Sequence, residues 1–535
     1  MRRWTLLALP LGLAIALAAD GPARYRPRPT TPAARAEAAA LAARLDAVLE
    51  REWAARGLTP SPEVDDLAFA RRLWLDLLGT VPSLEELRAL EAAPADGRRG
   101  RLIDQALADP RFASTLAEQL ARVVVGANAR PDDLLYRRRR LVDWLTQQVA
   151  AHRPWDALVR DLLTAEGLST DTPAVNFVLS QERDPIKLAG RTARAFLGVR
   201  IDCAQCHDHP YAAWKQADFE GLAAFFARLE PNTPGVRDAA AGELELDPLE
   251  GAMMTPGRRR VAPAVPFDPG ALPALAGERD RRRALAAWVT HPGNATFTRA
   301  IANRAWAWLL GRGVVHPPDE LDVTDPWSPA LLDVLEAGAR EGGLDLERLV
   351  RAIVSTRAYA LSSVLPGPDA DAAAQLLAHA TYPVEPLRPE TLGRALYQAT
   401  SLWTWDARRA LLLRFARAGQ VADFTRRHGG DPDAEELDEE TLLQRLHLLN
   451  GQLVHERTKD DDVFAPTTRL PLLAPSDAAA LDAAFLMTLA RRPTPDEAAP
   501  WLARLAGGRD AAARAAVTSD LLWALLNTTE FVTKH

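Results

Sequence analysis

Apolar residues recur along most of this chain at intervals of three and four, the spacing that places them on one face of an α-helix. Leu41, Leu45 and Leu49 form one such stripe. Two capping-box sequences mark helix starts, one at Ser83 and one at Thr494. No convincing series of alternating strands interrupts the helical segments. The pattern therefore predicts an all-α fold.

The periodicity fades once, in a stretch rich in proline, glycine and charge that begins near residue 230. Such a stretch is typical of a linker or a long loop between domains. The sequence predicts two helical domains in tandem, separated by this long irregular linker. The predicted order is a signal peptide, a proline-rich tether, a helical domain, the linker and a second helical domain, at residues 1–19, 20–38, 39–230, 231–275 and 276–535.

The N-terminal segment has the character of an export signal. Arg2 and Arg3 precede an apolar run over residues 4–18, which ends in small residues suited to cleavage. The alternative is an uncleaved anchor, and only in that case does the sequence predict contact with a membrane. Either way we expect the body of the protein outside the cytoplasm, in the periplasm, at the cell surface or secreted.

The net charge and the cysteine count exclude two classes of protein. The formal net charge is -7 and the isoelectric point is near 5.9, which argues against a nucleic-acid partner. The 535 residues include only two cysteines, so the fold does not depend on a disulfide scaffold.

Those two cysteines form a Cys-x-x-Cys-His motif with Cys203, Cys206 and His207. This is the attachment signature of c-type haem. If the segment is α-helical, the three residues share one face. Both thiols can then add to the vinyl groups of one porphyrin, and the histidine can reach the iron from the same side. The motif predicts haem c, with His207 as the proximal ligand.

Three other interpretations of the motif stay open. Cys203 and Cys206 can close a disulfide in an oxidising compartment. Together with His207 and His209 they also form a plausible ligand set for zinc or iron. In the third interpretation, the segment is a structural turn that holds no cofactor.

Two strongly apolar helices are predicted on either side of the motif, and they are candidates for the wall of a porphyrin site. They cover Ile186–Val199 and Asp218–Leu229, with Asp218 as the N-cap of the second. Met253 and Met254 in the linker are candidates for the sixth iron ligand, although surface methionines in a loop are the simpler interpretation. His209 is too close to His207 in sequence to reach the opposite face.

Several segments resemble two domain families that occur together. The sequences RLWLDLLGTVP (residues 72–82), RLID (residues 101–104) and FLGVRIDCAQCHDHPYAAW resemble the domain of unknown function 1549. That domain is the second cytochrome-like domain of secreted planctomycete proteins. The second half resembles its usual companion, the domain of unknown function 1553, through RRRALAAWVTHPGNATFTRAIANRAWAWLLGRGVV, LVRAIVSTRAYALSS, LLQRLHLLNGQLV, LARRPTPDE and DLLWALLNTTEFV.

The resemblance implies an exported protein with a covalent haem site at Cys203, Cys206 and His207. The chain also departs from the pattern of these families, because it has no room for the separate cytochrome-c-like domain that many relatives carry. Relatives often have histidines near positions 308 and 328, where this chain has tryptophan and serine. Any metal-binding role of those histidines is lost here or has moved, with His291 and His316 as the candidates.

Three functions follow from these observations, and the sequence does not decide whether the protein is an enzyme. The first is electron transfer by an exported haem protein with an unknown redox partner. The second is a scaffold module that binds a cell-surface protein, with the motif as a disulfide or a structural metal site. The third is a hydrolase of extracellular polymers, because carboxylates that suit acid–base chemistry lie close in sequence to Arg304 and His316. These carboxylates are Asp319, Glu320, Asp322 and Asp325.

Overall fold

The structure, a computed structural model, describes residues 31–126, 136–230, 235–246, 259–268, 270, 281–404, 411–429, 441–460 and 465–535. Helices account for 64% of the protein, and the only strands among the described residues are four short ones. The predicted all-α class is therefore confirmed. The predicted signal peptide, most of the tether, and Met253 and Met254 lie outside the described residues.

The first half contains ten α-helices among its described residues, together with short 3-10 and π-helical turns. The α-helices are α1 Pro32–Ala55, α2 Asp66–Leu78, α3 Leu84–Ala92, α4 Arg98–Leu107, α5 Pro110–Val125, α6 Arg138–Ala150, α7 Trp155–Thr164, α8 Asn176–Ser180, α9 Pro185–Thr192 and α10 Gln216–Ala223. The 3-10 turns cover Pro173–Val175, Asp202–Gln205 and Ala224–Phe226, and the π-helical turn covers Ala193–Leu197.

The described part of the second half is also helical. Its α-helices are α11 Arg281–Val289, α12 Ala295–Leu310, α13 Pro329–Glu341, α14 Leu346–Val354, α15 Arg357–Ala360, α16 Ala372–Leu377, α17 Pro389–Ala399, α18 Leu411–His428, α19 Leu442–Asn450, α20 Gln452–Thr458, α21 Pro466–Leu473, α22 Asp477–Leu489, α23 Pro495–Gly507, α24 Ala511–Leu526 and α25 Thr529–Val532.

The strands form two small antiparallel pairs. β1 (Leu244–Leu246) pairs with β2 (Arg259–Val261) inside the predicted linker, and β3 (Glu385–Pro386) pairs with β4 (Thr533–Lys534). In the second pair Glu385 lies opposite Lys534. The last strand of the chain is therefore hydrogen-bonded to the strand that directly precedes α17.

Helix starts agree well with the capping signals in the sequence. Ser83 and Thr494 both form complete capping boxes, in which the hydroxyl accepts from the N3 backbone and the N3 carboxylate accepts in return. Two boundaries differ from prediction. Helix α1 begins at Pro32, inside the range assigned to the tether. Helix α10 begins at Gln216, so Asp218 is its N3 residue and accepts from the Lys215 backbone, which corrects its predicted role as N-cap.

One apolar core runs through both halves of the chain. Helix α1 packs against α13 and α14 of the second half. Two buried arginines of α2 also connect the halves, because backbone carbonyl oxygens of the second half accept their hydrogen bonds. Arg71 donates to Thr488 and Glu530 at 3.0 Å each, and Arg72 donates to Leu361 at 2.8 Å. Both guanidinium groups are thus solvated by protein instead of water.

In the described ranges, no helix has both the length and the apolar character that a bilayer crossing requires.

Candidate functional site

The Cys-x-x-Cys-His motif lies on a short 3-10 turn, where an α-helical face was predicted. The turn covers Asp202–Gln205, and the Cys206 amide donates to the Cys203 carbonyl at 3.4 Å. In a 3-10 turn, side chains at i and i+3 are eclipsed, so this geometry keeps the two cysteines on the same side. His207 follows in a bend, outside the helical turn, which corrects the expectation that all three residues share an α-helical face.

The chemically active side chains of the turn face solvent. Cys203 and Cys206 are exposed free thiols, and His207 is exposed. Ala204, between the cysteines, is fully buried and fixes the turn to the core. The thiols are therefore held on a fixed base and remain accessible to a reactant.

The His207 imidazole is oriented by its own backbone. Its Nδ1 lies 2.7 Å from the carbonyl oxygen of Asp208. A histidine that donates from Nδ1 to a carbonyl carries its free lone pair on Nε2, which is the arrangement usual for metal-ligating histidines. The donor set of two thiols and one such imidazole fits the chemistry of covalent haem attachment.

His209 is turned back into its own loop. Its Nδ1 accepts hydrogen bonds from the amides of Tyr211 and Ala212, at 3.2 and 3.0 Å, and its own amide donates to the Trp214 carbonyl at 2.8 Å. Across the described residues, no three histidine, cysteine or acidic side chains are grouped in a way that could hold a metal ion. The alternative set of Cys203, Cys206, His207 and His209 is thus not gathered around one point.

The motif is anchored by an acidic loop from the second half of the chain. The Arg200 guanidinium donates to both carboxylate oxygens of Asp319, at 2.8 and 2.7 Å, and also pairs with Glu320 at 2.9 Å. The Trp214 indole donates to Asp322 at 2.5 Å. Both ends of the segment that carries the motif are therefore tied to the same loop.

The electrostatics of this loop follow from these contacts. Burial tends to raise the pKa of Asp319, but the hydrogen bonds and positive charge of Arg200 outweigh it and hold that pKa below its usual value. Burial raises the pKa of Asp322, although the hydrogen bond from Trp214 acts in the opposite direction. These two carboxylates, candidates for hydrolytic acid–base work, are engaged in holding the motif.

A glycine lets the acidic loop approach the motif closely. Gly198 ends the π-helical turn with φ of 67°, and its carbonyl accepts from the Leu321 amide at 3.0 Å. A Cβ atom at this position would lie 2.6 Å from a methyl carbon of Leu321. The position thus requires glycine both for its backbone conformation and for space.

The two positions where relatives often have histidine, and the two histidines proposed to replace them, have different surroundings in the structure. Ser328 is the N-cap of α13, where its hydroxyl accepts from the Leu331 amide at 3.2 Å. His291 is exposed and its Nδ1 accepts from the Gly293 amide. Trp308 and His316 line the same cavity.

That cavity lies between the two halves of the chain and has a volume of about 320 Å³. Its lining includes charged residues that no sequence motif marks as candidates for a binding site, among them Asp76, Arg394 and Lys534. No spacing signal connects them, because they are at least 140 residues apart and meet only through the tertiary fold. The charged Asp76 within an otherwise apolar helical stretch was the one available hint.

The fold and the motif define an all-α protein with an exposed Cys-x-x-Cys-His turn in its first half. Comparison with family models finds one match in each half. Residues 44–231 match PSCyt2, a protein of unknown function (DUF1549), and residues 281–504 match PSD1, a protein of unknown function (DUF1553). The first half of the chain is thus similar to the DUF1549 family, and the second half is similar to the DUF1553 family. None of the curated proteins and none of the solved structures matches it.

Proposed function

We propose that this protein is an exported c-type haem protein that transfers electrons. Cys203 and Cys206 hold the porphyrin, and His207 is the proximal ligand of the iron. The observation that carries the proposal is the presence of two exposed thiols at one anchored turn, followed directly in the chain by a suitably oriented imidazole. The PSCyt2 match over this half of the chain lends further support.

The attachment chemistry is balanced without a further reagent. Each thiol S–H adds across a vinyl C=C bond, so that sulfur bonds to one vinyl carbon and the proton goes to the other. Cys203 lies in the 3-10 turn and Cys206 is its C-cap, three residues on, a spacing that favours placing both side chains on one side of the turn. Bound haem supplies one-electron redox chemistry.

The exposure of the turn favours electron transfer over chemistry on a buried substrate. Tyr211, four residues after His207, is 87% exposed, and Cys206 and His207 also face solvent. A haem attached to these exposed residues would be accessible to a redox partner. The positively charged start and apolar run of residues 1–19 support export, which is required for haem c to be attached outside the cytoplasm.

The test is a pigment assay on the full chain, expressed in a host that has the cytochrome c maturation machinery. We expect colour that survives acid–acetone extraction and gives a pyridine-haemochrome band in the denatured protein. The Cys203→Ser, Cys206→Ser double variant should lose it. His209→Ala is the matched control and should keep it, because His209 is bonded within its own loop.

A colourless wild-type protein from that host contradicts the proposal. A colourless product whose mass is lower by two hydrogens points instead to a disulfide, and hence to the scaffold function. A colourless product with both cysteines reduced and one bound zinc points to the small-metal site.

A further inference from the structure

The cavity between the two halves is built like a ligand site. One wall is a face of α5, where Thr115, Glu118, Gln119 and Arg122 recur at intervals of three and four. The opposite wall runs from β3 into α17 and includes Glu385, Glu390, Thr391 and Arg394. Trp308 of α12 and Lys534 of β4 complete the lining. Each wall comes from a rigid element, so the cavity is preformed.

The carboxylates of the cavity are already neutralised. Lys534 Nζ lies 2.9 Å from Asp76 and 3.1 Å from Glu385. Arg122 pairs with Glu390, and the fourth carboxylate, Glu118, pairs with an arginine of α6 at 2.9 Å. No carboxylate is therefore left for a metal cation or an ammonium group.

After these pairings, the charged group of the cavity that remains available to a ligand is the positive guanidinium of Arg394. Within the part of the chain that the structure describes, the Arg394 guanidinium has no hydrogen-bond or ion-pair acceptor. Arg122, Arg388 and Arg394 all lie near the carboxylate of Glu390, which is partly buried, and together they lower its pKa against the effect of burial. Guanidinium groups bind carboxylates through two parallel hydrogen bonds, so this wall favours a ligand with one anionic group.

The Arg394 guanidinium lies close to the backbone of Gly79. Gly79, the C-cap of α2, has φ of 65°, and a Cβ atom there would lie 2.8 Å from Arg394 Nη1. The same Cβ would lie 3.3 Å from the Thr115 hydroxyl oxygen. The guanidinium and this hydroxyl both border Gly79. Because the Thr115 hydroxyl donates its hydrogen to the Arg111 carbonyl at 2.9 Å, Arg394 is the donor that remains for an anionic group.

The rest of the lining calls for a ligand with hydroxyl groups and a ring. Paired carboxylates keep further lone pairs, and the Thr391 hydroxyl and Gln119 amide add donors and acceptors. Trp308, Pro318, Pro386 and Leu387 provide apolar surface for C–H groups. A volume of about 320 Å³ lies at the small end of the range for ligand pockets, enough for about one substituted ring.

We propose that this cavity binds a small sugar acid, with Arg394 receiving its carboxylate and Trp308 covering one face of its ring. Neither cysteine lines the cavity, so the proposal is independent of haem attachment.

Titration calorimetry on the full chain tests it, with D-glucuronate and D-galacturonate as probes and D-glucose as the neutral control. We expect at least one uronate to bind about ten- to hundredfold more tightly than glucose, the value of a charge-assisted hydrogen-bond pair. Arg394→Gln should lose about the same factor, and Arg394→Lys should recover only part of it. Arg139→Gln, at a side chain that is 85% exposed, is the matched control and should leave binding unchanged.

Three results overturn the proposal: no heat with either uronate, equal affinity for glucose, or unchanged affinity in Arg394→Gln. Thermal unfolding shows whether Arg394→Gln is folded. If it is not, two variants of Trp308 decide. The proposal requires uronate affinity to be kept in Trp308→Phe, which retains an aromatic ring, and to fall in Trp308→Ala, which does not. Binding of inorganic phosphate in preference to both uronates also contradicts a sugar-acid site.

Discussion

Acid should destabilise this protein through one buried histidine, His379. The side chain is 2% exposed, and its ring lies between those of Trp306 and Trp327, with centroid distances of 5.5 and 5.6 Å. Its Nε2 accepts from the Trp306 indole at 3.2 Å, so the neutral imidazole is required. Burial, with smaller contributions from the charges of Arg312 and His316, lowers the pKa of His379 to about 3.

The sign and size of the effect follow from proton linkage. Unfolding exposes the imidazole and returns its pKa to the ordinary value of 6.5. Below that value the unfolded chain binds a proton that the folded protein excludes, so stability is present above about pH 6.5 and is lost as the pH falls toward 3. Between about pH 7.5 and about pH 4.5, this single group removes about 3 kcal/mol from the free energy of unfolding.

The measurement compares the wild type with His379→Gln by urea unfolding followed through tryptophan fluorescence. Glutamine keeps an acceptor for the Trp306 indole but does not titrate. The variant is less stable near neutral pH, and its deficit relative to the wild type should shrink by about 3 kcal/mol over the stated pH range. His455→Gln, on an exposed helical position, controls for the loss of an imidazole. A constant difference between His379→Gln and the wild type would refute the reasoning.

Three further predictions concern contacts between the halves. Asp76→Asn leaves the buried Lys534 ammonium with a weaker set of partners and should cost about 3–5 kcal/mol in urea unfolding, whereas no loss would contradict a charged pair. Gly198→Ala forces a methyl group against Leu321 at a left-handed backbone position and should cost about 1–3 kcal/mol; an unchanged melting temperature argues against the close contact. Asp319→Asn weakens the bidentate pair beside the motif and should cost about 1–3 kcal/mol while speeding alkylation of the thiols, and an unchanged alkylation rate would show that the pair does not fix the turn.

Local signals in the sequence predicted the helices well because helix starts depend on few residues. Ser83 and Thr494 each form the capping box that their spacing indicates. Asp218 was misplaced because a carboxylate at N3 accepts from the backbone almost as an N-cap does, so sequence alone shifts the boundary by a few residues. The motif was also assigned the wrong turn type, since five residues carry no periodicity that separates 3-10 from α geometry.

Long-range contacts explain what the sequence did not predict. The acidic residues after His316 were grouped as candidate catalysts because they are close in sequence. In the structure Asp319 and Asp322 bind Arg200 and Trp214, more than a hundred residues away. Arg394 carries no local motif, and its place in the cavity depends on the packing of α17 against the first half.

Peptide mapping of the mature protein tests the central claim most directly. Trypsin cuts after Arg200 and after Lys215 and releases a single peptide, Ile201–Lys215, which contains both cysteines and His207. From a host with the cytochrome c maturation machinery, we predict that this peptide carries the mass of one haem and takes up no iodoacetamide. The same peptide recovered with two alkylated cysteines and no added porphyrin would contradict the account.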